Sequence, residues 1–208
     1  MLAEIKGLNE ECGVFGVWGH ENASQIAYYG LHSLQHRGQE GAGIAVTDGE
    51  KVTVMKGVGL VNEVFGHGEL EQLNGKAAIG HVRYATAGGG GFENVQPLHF
   101  RSHSGSLALA HNGNLVNANA LKHQLENQGS IFQSTSDTEV LAHLIKRSGY
   151  EDMKDKVKNA LSRFSKKCCS LKKRASQKPV KVVMKFELTI PILIVAKKSD
   201  QMELFSLT

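Results

Sequence analysis

Three cysteines, three prolines and one tryptophan are all that the 208 residues contain of those types. Cys12 stands alone and Cys168 and Cys169 are adjacent, so no disulfide framework is predicted, and the pattern suits a reducing cytoplasm. The longest apolar run, Leu188 to Ala196, is too short and too interrupted to cross a bilayer, and no membrane partner is expected. The first residues are polar and acidic, unlike a secretory signal, so the Asn22-Ala23-Ser24 acceptor pattern carries no meaning. His32 and His36 share a helix face, but no glutamate lies between them and no third ligand is evident. They read as surface or packing residues, and no metal is expected. Gly88 to Gly91 lack the Lys-Ser/Thr and apolar helix of a phosphate loop.

Glycine is missing from the last part of the chain: all 23 lie at or before Gly149. Charge changes in the same place. Residues 1–159 hold 13 Lys and Arg against 17 Asp and Glu, whereas residues 160–208 hold 11 against 3. A basic, glycine-free end can be read as a nucleic-acid patch. It has no interleaved aromatics and no binding module, so a solvated or disordered end is the better expectation and no specific nucleic-acid partner is predicted.

The length of 208 residues allows one domain with a substantial core. Gly13 to Trp18 reads as a strand, and Ser24 opens a helix with Ala27, Leu31 and Leu34 on one face, ending near Gly38. Asp48-Gly49 signals a hairpin between Ala42–Thr47 and Val52–Lys56. Ala77 to Ala85 and Leu107 to His111 are further strands. A helix is predicted from Asn117 to Gln128, and Ser136 with Glu139 has capping-box spacing before another. Grouped strands flanked by helices, without strict alternation, predict an α+β layered fold.

Cys12 opens the run Cys12-Gly13-Val14-Phe15-Gly16 behind eleven residues. A cysteine freed at a chain start would carry both a nucleophilic thiol and an α-amine, whose pKa near about 8 suits it to act as a base. Alone, it reads more readily as a small buried hydrophobe. Four further words follow: Gln35-His36-Arg37-Gly38-Gln39-Glu40, Gly80-His81-Val82-Arg83-Tyr84-Ala85-Thr86, Ala110-His111-Asn112-Gly113-Asn114-Leu115, and Thr135-Ser136-Asp137-Thr138-Glu139. By itself each has a plain explanation. Asn112-Gly113 is a common hairpin turn, Arg83 a strand arginine, Asp137 a carboxylate at a helix start and Arg37 a basic helix end.

In this order the words resemble the class II glutamine amidotransferases, and within them most nearly the amidophosphoribosyltransferases of purine synthesis. The resemblance runs from Met1 to about Leu161. It implies a four-layer αββα N-terminal-nucleophile hydrolase sandwich, a leader at residues 1–11 that is removed, and a partial glutaminase domain over residues 12–160. It implies that Cys12 attacks glutamine and forms a γ-glutamyl thioester, with Asn112 and Gly113 cradling the oxyanion. Arg37, Gly38, Arg83, Tyr84, Thr86 and Asp137 then fall on the substrate side. In that assignment Arg83 holds the α-carboxylate, Asp137 the α-ammonium, and a closing flap begins near Arg83 and Tyr84.

Glutamine is the implied partner, and homo-oligomers are implied for the family. No cofactor is expected in this chain. The magnesium of the family's phosphoribosyltransferase domain and the iron–sulfur cluster of some members have no matching residues here. Residues 161–208 depart from the family pattern and read as a basic tail from a shifted reading frame, expected to leave the sandwich incomplete and to pack badly. Pro191 is expected to make Leu188–Ala196 a poor central strand. Two other readings remain open: an inactive fragment that at most binds glutamine or a partner, and a different class II enzyme such as a sugar-phosphate-aminating one.

Overall fold

A computed structural model of the chain describes residues 12–66, 68–84, 91–103, 105–113, 115, 117–163, 192–198 and 201–207. The first sheet contains β1 (Gly13–Trp18), β2 (Gly41–Thr47), β3 (Val52–Val58) and β4 (Ala77–Arg83), in the order β1-β4-β2-β3. The second contains β5 (Leu98–Ser102), β6 (Gly105–His111), β7 (Ile192–Lys198) and β8 (Gln201–Leu207), in the order β5-β6-β7-β8. Every pairing is antiparallel. The α+β class with antiparallel sheets is therefore the observed one.

Side-chain alternation along β4 and β6 organises the core, because successive residues of a strand face opposite ways. Ala78 and Val82 of β4 join Ala27, Leu31 and Leu34 of the α1 region (α1, Ala23–Ser33) and Val61 of α2 (Val61–Val64), while Ile79 turns the other way. There Ile79 meets Ala108 and Ala110 of β6 in a small cluster between the sheets. Leu107 and Leu109 of β6 face away from that cluster. They pack with Leu125 of α3 (Ala118–Asn127), Leu141 and Ile145 of α4 (Asp137–Lys146), and Val157 and Leu161 of α5 (Met153–Ser162). Alanine dominates the inter-sheet side of β6, and its small side chain lets the two sheets approach.

The predicted hairpin is present, with Thr47 opposite Val52. Its turn is closed by the Asp48 carboxylate, which accepts from Glu50 N at 2.8 Å and Lys51 N at 2.9 Å. The capping-box expectation is corrected. Ser136 does cap α4 by accepting from Thr138 N, but Glu139 reaches outward to the N–H groups of Gln133 and Ser134 at 2.9 and 2.7 Å. Those two amides lie in a turn left without ladder partners, and a buried carboxylate satisfies both.

The C-terminal residues differ from expectation too. β7 is an interior strand, pairing with β6 from Leu107↔Ala196 to His111↔Ile192 and with β8 on its other side. Its ladder begins at Ile192, one residue after Pro191, so the missing proline N–H is not required within it. Residues 164–191, including Cys168 and Cys169, lie outside the described residues.

Candidate active site

The register of the first sheet puts the nucleophile candidate where the motifs meet. Gly13 pairs with Val82, so Cys12, one residue earlier, arrives beside the last residues of β4. Its Sγ lies 3.3 Å from Tyr84 N, which donates to it, and 3.5 Å from Tyr84 O. Arg83 closes β4 opposite Gly41 of β2 and is buried, with Nη1 donating to Gly91 O at 3.5 Å. Tyr84 is exposed, whereas Thr86 and most of the expected flap, residues 85–90, lie outside the described residues.

Two other motifs converge on the backbone carbonyl of Cys12. Arg37 Nε donates to it at 3.4 Å from 25 positions away, and the Asn112 side-chain amide donates to it from 100 positions away. Arg37 ends a single 3-10 turn, Gln35–Arg37, that follows α1. Gln35 secures this turn by donating to Gly38 O and accepting from Val61 N. At Gly38 any Cβ would lie 2.7 Å from the carbonyl carbons of both Val82 and Arg83. Only glycine lets this turn lie against the end of β4, and that contact brings Arg37 to Cys12.

Asn112 and Gly113 follow β6 directly. The chain goes on to α3, not to a paired strand, so the hairpin explanation is excluded. Gly113 has φ 144°, which a side chain rarely adopts. Asp137 begins α4 with a partly exposed carboxylate. Its Oδ2 accepts from Leu115 N at 2.6 Å, and its Oδ1 lies 3.4 Å from Thr138 Oγ1 and 3.9 Å from His111 Nδ1. Asp137 is thereby fixed to the segment carrying Asn112 and Gly113. Arg37, Gly38, Arg83, Tyr84, Asn112 and Cys12 thus form one contact set, and Asp137 joins through the β6–α3 connection.

Burial pushes the Cys12 thiol above its ordinary range. The Tyr84 hydrogen bond and the Arg83 charge act against this, and Glu40 adds to it. The resting group is a neutral thiol that must lose its proton to become a nucleophile. Burial likewise lowers His111, opposed by Asp137. His81, also fully buried, is held at about 3 by burial together with the nearby His111 and Arg83 charges. Among the described residues no group of three His, Cys, Asp or Glu side chains is placed to hold a metal ion, and no helix is long and apolar enough to cross a membrane.

Sequence reasoning passed over His111, Thr138 and Gln96. Gln96 Oε1 accepts from His111 N at 2.7 Å, and its Nε2 donates to Thr138 Oγ1 at 3.2 Å. His111 and Thr138 adjoin Asn112 and Asp137 within their motifs, which was the available signal. Gln96 gave none, because its contacts reach 15 and 42 positions along the chain.

Comparison with known proteins finds relatives over most of the chain. A glutamine amidotransferase domain family matches residues 67–162. The chain is 78% identical over 163 residues to an amidophosphoribosyltransferase of Bacillus subtilis (strain 168), covering 78% of this chain and 34% of that protein. It is 58% identical to an amidophosphoribosyltransferase of Lacticaseibacillus casei, covering 78% of this chain and 84% of that protein. A solved structure of an allosteric regulatory enzyme of purine biosynthesis matches with TM-score 0.73 and 63% identity, over 88% of this chain and 35% of that one. Glutamine phosphoribosylpyrophosphate amidotransferase from B. subtilis, complexed with ADP and GMP, matches with TM-score 0.71 and 59% identity, over 89% and 35%. The chain thus spans about a third of the length of its B. subtilis relative. With 58% identity to a relative of which it covers 84%, the chain belongs to the amidophosphoribosyltransferase family.

Proposed function

We propose that the chain carries the glutaminase half-reaction of its family, hydrolysing glutamine to glutamate and ammonia at Cys12. The supporting observation is the convergence on Cys12 of groups 25, 72 and 100 positions away, each from a different motif. Cys12 Sγ attacks the side-chain amide carbon of glutamine, and the carbonyl π electrons move to oxygen. Collapse of that intermediate breaks the C–N bond, the leaving nitrogen takes a proton and departs as ammonia, and a γ-glutamyl thioester remains. Water then attacks the thioester, yielding glutamate and returning the thiol.

Removal of residues 1–11 belongs to this reading. A thiol raised by burial needs a base at the moment of attack, and the peptide nitrogen of an unprocessed Cys12 cannot serve. A freed α-amine, with its pKa near about 8, can. Asn112 and Gly113 supply the oxyanion donors. Removing one such donor costs about 2.7–4 kcal/mol of transition-state stabilisation in comparable sites. Arg83 binds the substrate α-carboxylate through its guanidinium fork and Asp137 the α-ammonium, with Arg37, Gly38, Tyr84 and Thr86 completing the substrate side. The fold around this site is the αββα sandwich of N-terminal-nucleophile hydrolases, with the glutaminase region over residues 12–160, in a cytoplasmic protein. No step requires a metal or cofactor.

The test is mass spectrometry of the purified chain alongside a glutaminase assay. Loss of residues 1–11, release of glutamate and ammonia, and labelling of Cys12 alone by an electrophilic glutamine analogue are expected. A processed chain that binds glutamine and never turns it over, or labelling spread equally over Cys12, Cys168 and Cys169, refutes the assignment.

A further inference from the structure

We infer that Thr138 is a positioning residue, whose buried hydroxyl orients the Asp137 carboxylate toward the substrate and fixes the tautomer of His111 behind it. The inference rests on the proposed glutaminase reading, in which Asp137 receives the substrate ammonium. Thr138 is fully buried, and its Oγ1 has three polar neighbours: Gln96 Nε2 at 3.2 Å, His111 Nδ1 at 3.3 Å and Asp137 Oδ1 at 3.4 Å.

Proton bookkeeping settles the directions of these bonds. A hydroxyl offers one proton and two lone pairs. The His111 backbone N–H can only donate, and it points at Gln96 Oε1, so the Gln96 amide is oriented with Nε2 facing Thr138. That NH₂ fills one lone pair. An ionised Asp137 can only accept, so it takes the hydroxyl proton. The second lone pair then requires a donor, and His111 Nδ1–H is the remaining neighbour. Burial keeps His111 neutral, so the single proton that this bond needs is on Nδ1. Its Nε2 is left bare and has no hydrogen-bond partner among the described residues.

Asp137 is held from two sides, with Oδ2 on Leu115 N and Oδ1 on the Thr138 hydroxyl. Rotation of the carboxylate away from its exposed face would break both bonds. A valine at 138 has nearly the same shape but no hydroxyl. It would free Oδ1 and leave two buried N–H donors, from Gln96 and His111, without acceptors.

Nitrogen-resolved NMR of the His111 imidazole in the unsubstituted full-length chain is the direct test, and the proton should be found on Nδ1. Thr138→Val should raise the glutamine KM about tenfold with kcat nearly unchanged, as expected for loss of one hydrogen bond to a charged group, and Thr138→Ser should restore most of the affinity. A proton on Nε2, or equal KM values for the valine and serine variants, overturns the inference. Should the valine variant not fold, the tautomer and the serine variant still decide it. A parent chain that neither turns over glutamine nor is labelled at Cys12 refutes the glutaminase reading instead, while the tautomer tests the hydroxyl arrangement independently.

Discussion

The two sheets contribute to the same site but are assembled differently. Every strand of the first sheet comes from residues 13–83, and β4 is inserted between β1 and β2, which carries Arg83 and Tyr84 to Cys12. In the second sheet β6, which leads into Asn112, has β5 on one side and on the other a strand from residues 192–198. Cys12, the proposed nucleophile, and Arg83, proposed to grip the carboxylate, thus depend on a locally complete unit. Asn112 and Gly113, the proposed oxyanion donors, depend on a strand that needs a distant partner. A site divided in this way should lose its parts separately.

The largest expected loss comes from the first sheet. Cys12→Ser should abolish glutaminase activity and analogue labelling while the fold melts unchanged, and Cys168→Ser and Cys169→Ser should leave turnover intact. Residual turnover above about a thousandth of the parent rate in Cys12→Ser would show that the nucleophile lies elsewhere.

The comparison between sheets is tested most directly by deleting residues 164–208. β6 then becomes an edge strand with an unpaired backbone. Hydrogen exchange should accelerate at β6 amides by several orders of magnitude and much less in β4, since local opening follows the loss of local partners. Equal acceleration in both strands would mean that the sheets unfold as one unit and that the division is wrong.

Smaller effects should separate by kinetic constant. Asn112→Ala removes a group proposed to act on the developing oxyanion, so kcat should fall about 10²–10³-fold. Arg83→Lys replaces a fork with a point charge and should raise the glutamine KM about tenfold while kcat changes little. If Asn112→Ala raised KM and left kcat intact, its amide would be holding the Cys12 carbonyl and nothing more.

Much of the first sheet is legible in the amino-acid sequence. The alternation in Gly13–Trp18, the Asp48-Gly49 turn and the apolar face of α1 are local patterns, and each forms the element that its pattern predicts. The insertion of β4 between β1 and β2 is not legible, because strand order is set by contacts distant in sequence. The strand pairing of the tail is hidden for a related reason. Lysines and two prolines mark the pattern of residues 160–208, but the run that pairs with β6 begins only after Pro191. In the site, the motif words contain the residues proposed to face substrate. Behind them, the bonds joining Gln96, His111 and Thr138 leave no periodic trace, since each meets its partner through folding alone.

The most specific expectation concerns acid. His81 of β4 is buried, and burial with the His111 and Arg83 charges holds its pKa at about 3, below its ordinary 6.5. The unfolded chain therefore takes up this proton first. Stability is unaffected above pH 6.5 and is lost as pH falls from there towards about 3, by on the order of 5 kcal/mol at the limit. Glu139 of α4 is buried as well. Burial opposes its charge, but the His143, Ser134 and Gln133 contacts prevail and hold its pKa at about 2 against an ordinary 4.5. Its contribution, about 3 kcal/mol, is complete above pH 4.5 and is lost as pH falls towards 2. His111 is lowered by burial and adds to the first window from the second sheet, with Asp137 opposing. Denaturant midpoints measured from pH 7 to 3 should therefore decline more gently in His81→Leu than in the parent. Glu139→Gln should be less stable already at pH 7 and should decline in parallel with the parent down to about pH 4.5. If His81→Leu leaves the decline between pH 6.5 and 4.5 unaltered, the imidazole on β4 is not the group that makes the first sheet acid-sensitive, and His111 becomes the one to substitute.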